Sequence, residues 1–213
     1  MSGLPLPVAI ESPGPEIDPV AGRILDAALA TFLDRGLRRS TVEAVATRAG
    51  VSRITVYRRF GSRDGLLEAV ILREGHRFLA ELERAVMALK TVEERAVEGF
   101  VTTLRLTRAH PLISHLLVAE PETLLPHLTT RGAPAIGIAR EFLAGHLRRG
   151  QVEGIIGELD PDQAAEVVVR LALSFVLTPE SVIALDDEER ARDFARRCIA
   201  PILAGPRLPA RRG

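Results

Sequence analysis

The residues best suited to binding an anion lie close together in the stretch GVSRITVYRRF, residues 50–60. It contains Arg53, Arg58 and Arg59 and the only tyrosine of the chain, Tyr57. A guanidinium group can hold a phosphate or form two parallel hydrogen bonds with a guanine base, and a tyrosine hydroxyl can donate a hydrogen bond to a phosphate. This combination of side chains predicts a surface that contacts a nucleic acid.

The apolar residues of this stretch predict a short helix that points its charged groups outward. Ser52 can cap the first turn of the helix, and Gly61 can end it. Val56 and Phe60 are four residues apart, so both face inward. The residues left facing outward are Arg53, Ile54, Tyr57 and Arg58.

Two further helices are predicted before this one. The first spans residues 19–35, and the second begins after a cap at Ser40 or Thr41, where Ser40 and Glu43 have the spacing of a capping box. Gly50 then permits a tight turn. Two short helices joined by such a turn, the second of them basic, are typical of the helix-turn-helix motif, whose second helix enters the major groove of DNA.

An arginine-rich helix can also be an ordinary solvated face. Here the capped helix before it, the turn at Gly50 and the inward Val56 and Phe60 all agree with DNA binding. The charge distribution agrees as well, since residues 20–77 carry eleven arginines against six acidic residues in a chain with no net charge. The predicted contact surface for phosphates and bases consists of Arg53, Tyr57, Arg58, Arg59 and Arg63.

Composition and length predict an all-α protein, and the use of one cysteine agrees with the cytosol; the family resemblance given below implies the cytosol of a bacterium. The chain has 213 residues, of which 46% are hydrophobic, and it shows neither a strand pattern nor an apolar run long enough to span a membrane. Its one cysteine, Cys198, excludes an intrachain disulfide. We predict a flexible arm at residues 1–18, a helix-turn-helix domain at 19–64, a larger helical ligand-binding and dimerisation domain at 65–204, and a flexible tail at 205–213.

A cavity for a small molecule in the larger domain is what the family resemblance given below implies, and it would lie among the helices between residues 78 and 177. The helices of this domain are expected at residues 92–109, 135–149, 161–177 and 186–203, with short helices around the prolines after residue 110 and a loop at 149–160. Such a cavity is lined mainly by apolar side chains with a few polar ones. The candidates are Phe100, Leu104, Arg108, His115, Phe142, His146 and Phe175.

The last two helices are candidates for a dimer interface, because each has an apolar stripe. Two such helices from each subunit would build a four-helix bundle across a two-fold axis. Alternatively, both stripes close the core of the subunit itself. The interface candidates are Val168, Leu171, Phe175, Ala191, Phe194, Ala195, Cys198, Ile199 and Ile202.

The sequence predicts neither an enzyme nor a metal or cofactor site. The histidines lack closely spaced cysteine or carboxylate partners, and no G-x-S-x-G motif occurs. Cys198 falls on the apolar face of its helix, so we expect it to be buried and unreactive.

The stretch STVEAVATRAGVSRITVYRRFGSRDGLLEAV, with ATFLDRG before it, closely resembles the N-terminal domain of TetR-family transcriptional regulators. The strong resemblance covers residues 20–72, and beyond it only the length and the helical layout are similar. The positions that match the family pattern are Phe32, Gly36, Thr41, Val42, Ala46, Ala49, Gly50, Val51, Ser52, Thr55, Tyr57, Phe60, Ser62 and Leu66.

The resemblance implies a three-helix DNA-binding domain, an all-helical regulatory domain and a homodimer. It places Arg53 and Ile54 at base-facing positions, and the complete predicted DNA-binding set is Thr41, Ser52, Arg53, Ile54, Thr55, Tyr57, Arg58, Arg59 and Arg63. Three positions depart from the family pattern: Ile54 is large where a small residue is common, Arg63 replaces the usual lysine, and Glu43 is acidic where some members carry a basic residue that contacts a base.

The function expected from these features is a repressor that binds an inverted-repeat operator in double-stranded DNA. A small-molecule effector, which the sequence does not identify, would release it from the operator. Two alternatives stay open from the sequence: an activator of the same family, and a helical enzyme or small-molecule carrier whose basic surface is incidental.

Overall fold

The computed structural model describes residues 18–205, and these residues form helices and no β-strand. The predicted arm before Asp18 and the predicted tail after Gly205 lie outside the described residues. Two π-helical turns lie at Leu112–Leu117 and Ala195–Ile199. The α-helices are α1 (Pro19–Arg35), α2 (Val42–Ala49), α3 (Arg53–Phe60), α4 (Arg63–Val86), α5 (Val92–Ala109), α6 (Pro121–Leu128), α7 (Ala133–Val152), α8 (Pro161–Leu177), α9 (Glu188–Phe194) and α10 (Ala200–Ala204).

Side-chain caps fix where α2, α3 and α4 begin. The hydroxyl oxygens of Thr41, Ser52 and Ser62 accept hydrogen bonds from the amides three residues further on, at 3.0–3.2 Å. Ser40, the alternative cap for α2, is buried, and its hydroxyl donates to the carbonyl of Gly36 at 2.6 Å. Thr41 is therefore the cap of α2, and Ser40 holds the end of α1 against the loop that follows.

The hydrophobic side chains form two cores, which α4 connects. The first core packs α1, α2 and α3 against the start of α4 and also includes Leu112, Leu116 and Leu124. The second core lies among α5, α7, α8 and the C-terminal helices. Because α4 is one helix of 24 residues, about 36 Å long, it joins the N-terminal helices directly to the body of the protein. The predicted domain boundary at residue 64 falls within its first turn.

Helix α7 is longer than predicted at both ends, because two helix-breaking residue types are tolerated there. Pro134 lies at the second position of the helix, where its missing N–H leaves no bond unmade. Gly150 lies near the other end, against Ile156 of the following loop. A Cβ atom on Gly150 would lie 2.6 Å from Cδ1 of Ile156, so glycine allows the loop to fold back onto the helix.

The C-terminal helix corrects one sequence-based expectation: the prediction that Cys198 is buried is wrong. Helical backbone runs continuously over residues 188–204, but the turn at Ala195–Ile199 is π-helical and therefore wider than an α-helical turn. As a result Ala195 and Ile199 both face the second core, while Cys198 is exposed.

Candidate nucleic-acid interface and cavity

Helix α3 buries one side and exposes the other, as its sequence pattern predicts. Val56 lies in the first core, and Phe60 packs partly against it. On the outer side Ile54 is 76% exposed and Tyr57 is 39% exposed. Of the predicted DNA-binding residues, Thr55 and Arg63 are half-buried, and the exposed ones are Thr41, Ser52, Arg53, Ile54, Tyr57, Arg58 and Arg59.

Arg53 is held in position by neighbours on two helices. Its Nη1 atom donates to Oε1 of Glu43 at 2.8 Å, and its guanidinium carbon lies 5.5 Å from the centre of the Tyr57 ring. The pKa of Glu43 is lowered, mainly because its carboxylate accepts a hydrogen bond from the backbone N–H of Glu43 itself and, to a smaller extent, because of the charge of Arg53. The ionised Glu43 therefore orients Arg53 at the outer surface of α3 before any DNA is bound.

The other two arginines of α3 differ in their surroundings. Nη1 of Arg59 lies 2.5 Å from Oδ2 of Asp18, the cap of α1. The amide of Val20, followed by Arg59, lowers the pKa of Asp18, so this carboxylate is ionised. Arg58 is exposed and makes no ion pair within residues 18–205. Among the residues that the structure describes, nothing compensates the charge of Arg58, so this arginine of α3 can offer its whole charge to a phosphate.

Arg63 makes contacts inside the protein that its predicted role as a DNA-backbone contact does not require. Its Nε atom donates to the carbonyl of Ser40 at 2.9 Å, and its Nη2 atom donates to the carbonyl of Leu37. Both carbonyls belong to the loop between α1 and α2. Arg63 thus ties the start of α4 to this loop.

We expect replacement of Arg63 by alanine to lower the free energy of unfolding by about 1.5–3 kcal/mol, because two carbonyl groups lose a charged donor. Urea unfolding of the purified protein measures this change. The matched control is Arg58→Ala, for which a change within about 0.5 kcal/mol is expected because Arg58 has no partner in the described residues. Equal stability of both variants, with DNA affinity lost in Arg63→Ala, would instead support the phosphate-contact role.

A second candidate site is a cavity of about 310 Å³ among α4, α5, α7 and α8. This volume is at the lower end of the range for small-molecule sites. Its wall is apolar apart from a few groups contributed by α4, α5 and the residue after α5. These polar residues are Glu74, Arg95, Thr103, Thr107 and His110.

The structure places two of the seven predicted cavity residues, Phe100 and Phe142, in this wall. The side of α5 that lines the cavity runs through Gly99, Thr103 and Thr107, so Leu104 lies one position away, in the second core. The remaining four candidates, Arg108, His115, His146 and Phe175, also lie outside the wall.

Each of these four residues has a different environment. Arg108 donates to the carbonyl of Leu185 at 3.0 Å, and His115 is exposed on a π-helical turn. Phe175 packs edge-on against Phe100, with ring centres 6.2 Å apart. Nδ1 of His146 lies 2.9 Å from the carbonyl oxygen of Phe142, and burial is the main cause that lowers the pKa of His146.

Glu74 is the most unusual group in the cavity wall, because it is a buried carboxylate. Its Oε1 atom accepts from Nε of Arg73 at 3.1 Å and from Nη1 of Arg77 at 3.0 Å, and its Oε2 atom lies 3.4 Å from Nε2 of His110. Burial favours the neutral acid, but the hydrogen bond from His110 and the charges of Arg77 and Arg73 outweigh it and lower the pKa of Glu74. Glu74 is therefore ionised.

The cluster around Glu74 extends to α1. Nη1 of Arg73 donates to Oδ1 of Asp26 at 2.8 Å and to the carbonyl of Gly22 at 3.3 Å. The wall of the cavity and helix α1 are therefore joined through one ionic network, in which Arg73 and Glu74 are buried and Asp26 and Arg77 are exposed. Sequence reasoning did not predict this network, although the sequence carries a signal for it: Glu74 lies three residues after Ile71 and four before Phe78, on an apolar helix face.

The described part of the chain contains neither a candidate metal site nor a helix that could span a membrane. No group of three or more histidine, cysteine or acidic side chains within residues 18–205 could hold a metal ion. Over the same residues, every helix is too short or too polar to cross a membrane.

Comparison with known proteins assigns both halves of the chain. The model for bacterial regulatory proteins of the tetR family matches residues 24–70, and the model for the C-terminal domain of the bacterial tetracyclin repressor matches residues 92–198. The HTH-type transcriptional regulator AlkX of Mycobacterium tuberculosis is 34% identical over 176 residues, which cover 81% of this chain and 80% of that protein. UidR of Escherichia coli is 25% identical over 181 residues, covering 85% and 90%.

Solved structures show the same fold. The TetR family repressor AlkX from a Dietzia strain, implicated in the biodegradation of n-alkanes, matches with a TM-score of 0.69 and 29% identity over 87% of this chain and 95% of that one. The transcriptional repressor QsdR of R. erythropolis has a TM-score of 0.63 at 22% identity over 88% and 96%, and shows the fold alone. With both halves matched and a helix-turn-helix unit that exposes its second helix, the chain belongs to the TetR family of bacterial helix-turn-helix transcriptional regulators.

Proposed function

We propose that the protein is a repressor that binds an inverted-repeat operator as a homodimer and leaves it when a small molecule fills the cavity. The observation that carries this proposal is the shared helix α4, which begins beside α3 and lines the cavity further along, with Glu74 connected to α1. A ligand that binds more tightly when α4 is in one position than in another increases the population of the conformation that it prefers. Repression is also what the Dietzia relative is named for.

The groups exposed on α3 support direct contact with DNA. Arg53 and Ile54 lie on its outer side, where a guanidinium can pair with guanine and an isoleucine can pack on the methyl group of thymine. The exposed hydroxyls and the charge of Arg58 suit phosphate oxygens. A single helix-turn-helix unit binds weakly, so two of them about 34–36 Å apart are needed to reach successive turns of the major groove.

The test of this proposal uses the purified protein and the DNA that flanks its own gene. Fluorescence anisotropy with a labelled inverted repeat from that region should show binding whose affinity falls steeply as salt rises, because phosphate contacts release counterions. Ligands that enter the cavity should then lower the anisotropy. Binding that is absent, or that does not change with salt, would contradict the proposal.

The dimer is proposed to form through the exposed side of α8 and the neighbouring C-terminal helix. Val167 is 47% exposed and Leu171, one turn later, is 36% exposed, and Cys198 is exposed on the adjacent helix. The other predicted interface residues are buried or half-buried in the second core of the same chain, namely Val168, Phe175, Ala191, Phe194, Ala195, Ile199 and Ile202. The apolar stripe of the last helix thus largely closes the subunit itself, which leaves Leu171 and Cys198 from the predicted set.

Replacement of Leu171 by arginine is expected to weaken the dimer about tenfold, because two like charges would meet across a two-fold axis while their long stems can still reach water. Sedimentation equilibrium measures the dimer dissociation constant. Val118→Arg is the control, since Val118 is 79% exposed and lies far along the chain from α8. A Leu171→Arg protein that dimerises as tightly as the control would exclude this face as the interface.

A further inference from the structure

The length of the cavity indicates which kind of small molecule it can hold. Nε2 of His110 lies next to Glu74, and Nε of Arg95 donates to the carbonyl of Leu89 in the loop between α4 and α5 at 2.8 Å. Arg95 and His110 therefore lie at opposite ends, and fifteen residues of helix between them span about 22 Å. The wall of the cavity follows α5 over this length, and the cavity is called the channel below. A site of this length can take a long unbranched chain.

The polar groups along the channel are satisfied within the protein, with one exception. The hydroxyls of Thr103 and Thr107 donate to the carbonyls of the residues four positions earlier, each at 2.7 Å. Nδ1 of His110 accepts from the amide of Leu112 at 3.3 Å, and its other nitrogen faces Glu74. These groups therefore have no hydrogen left to donate to a ligand.

Arg95 is the exception. It is half-buried in the channel wall, its Nε atom alone has an acceptor, and its side chain makes no ion pair with any residue from 18 to 205. Both Nη atoms therefore have donors to spare.

We infer that the effector is a long unbranched alkyl chain with one anionic head, a carboxylate or a phosphate, and that Arg95 binds this head. The chain lies along the apolar wall between α4 and α5 and ends near Glu74 and His110. A charged acceptor satisfies the free guanidinium donors, and an apolar tail replaces water along the wall. At the other end an anionic head would find no free donor in the wall, because those of Thr107 and His110 are used within the protein. This inference rests on the proposed function only in treating the channel as the effector site.

Direct binding, measured without DNA, tests the head group. Palmitate, hexadecyl phosphate and hexadecanol are compared by their displacement of a fluorescent apolar probe from the full-length protein. We expect at least one of the two anions to bind tenfold or more tightly than the neutral alcohol, since a hydrogen bond to a charged group contributes about 1.5–3 kcal/mol. Anions that bind no better than the alcohol would overturn the inference.

Variants at Arg95 assign the head group to this residue. Arg95→Gln should remove the preference for the anion while leaving hexadecanol binding within twofold, and Arg95→Lys should restore much of the preference. Arg105→Gln is the matched control, because Arg105 is exposed on the same helix and does not line the channel. The alcohol also reports on folding, since a misfolded variant would lose both ligands. An Arg95→Gln protein that keeps the full preference would overturn the inference.

Release of the protein from its operator is measured separately, so that the inference about the ligand and the proposed function can be contradicted independently. If palmitate binds through Arg95 but leaves the protein on its operator, the inference about the ligand stands and the proposed release mechanism fails. If a ligand of different chemistry releases the operator while neither anion binds, the proposed function stands and the inference about the head group fails.

Discussion

Replacement of Glu74 by alanine is expected to lower the free energy of unfolding by about 3 kcal/mol, because it removes one of the two counter-charges of the buried Arg73. The side chain of Arg73 is only 5% exposed, so water cannot take over the role of Glu74. Nη2 of Arg73 lies 3.0 Å from Oε1 of Glu74 and makes no hydrogen bond of good geometry even in the natural protein. Asp26 remains as a partner, which places the expected loss at the lower end of the range for broken buried pairs.

Urea unfolding at neutral pH measures this loss, with Glu81→Ala as the control. Glu81 is on the same helix but exposed, and its nearest ion-pair partner, Arg84, is 4.0 Å away, so its removal should change stability by less than about 0.5 kcal/mol. A double variant, Arg73→Met with Glu74→Leu, should recover much of the loss, because it removes both buried charges. A Glu74→Ala protein as stable as the control would show that Glu74 does not stabilise the fold by neutralising Arg73.

The same network predicts a dependence on pH. The pKa of Glu74 lies below its ordinary value of 4.5, so the unfolded chain takes up the proton more readily than the folded one. The stabilisation is therefore present above pH 4.5 and is lost as the pH falls through the lower, folded-state pKa. The difference in stability between the natural protein and Glu74→Ala should accordingly shrink on acidification.

Replacement of Arg53 by alanine is expected to weaken operator binding by about 1–3 kcal/mol at each half-site, while unrelated DNA is affected much less. A dimer uses two copies of Arg53, so the operator would lose about thirtyfold or more in affinity. The pair with Glu43 does not cancel this contribution, because exposed ion pairs are worth little and can be exchanged for a guanine. Because Glu43 and Tyr57 already hold Arg53 in place, its side chain loses less conformational entropy when DNA binds.

Anisotropy titrations with the operator and with a scrambled duplex measure this specificity. Arg58→Ala is the comparison variant, because its uncompensated charge suits a phosphate, so all sequences should weaken alike and the salt dependence should decrease. Arg190→Ala, an exposed arginine on α9, controls for the loss of one positive charge far from α3. If the Arg53 and Arg58 variants lost affinity equally for every sequence, the division between base contact and phosphate contact would be wrong.

The sequence alone determined the fold class, the start and end of α3 and the identity of the family. These features depend on local signals, since a cap such as Ser52, a glycine at Gly50 and the four-residue spacing of Val56 and Phe60 act within one or two turns of chain. The same local pattern put Arg53, Ile54 and Tyr57 on the outer side of α3, where the structure also has them.

Tertiary structure alone decided which partner each side chain has. Arg63 reaches the carbonyls of Leu37 and Ser40, and Glu74 meets His110 across 36 positions of chain, through contacts that depend on how the helices pack. A single wide turn at Ala195–Ile199 was enough to expose Cys198, because it changes the register of every later residue. The cavity wall also depends on packing. Thr103 lines the cavity, whereas Leu104, the next residue of α5, does not. Helical periodicity alone cannot predict which side of a buried helix faces a cavity.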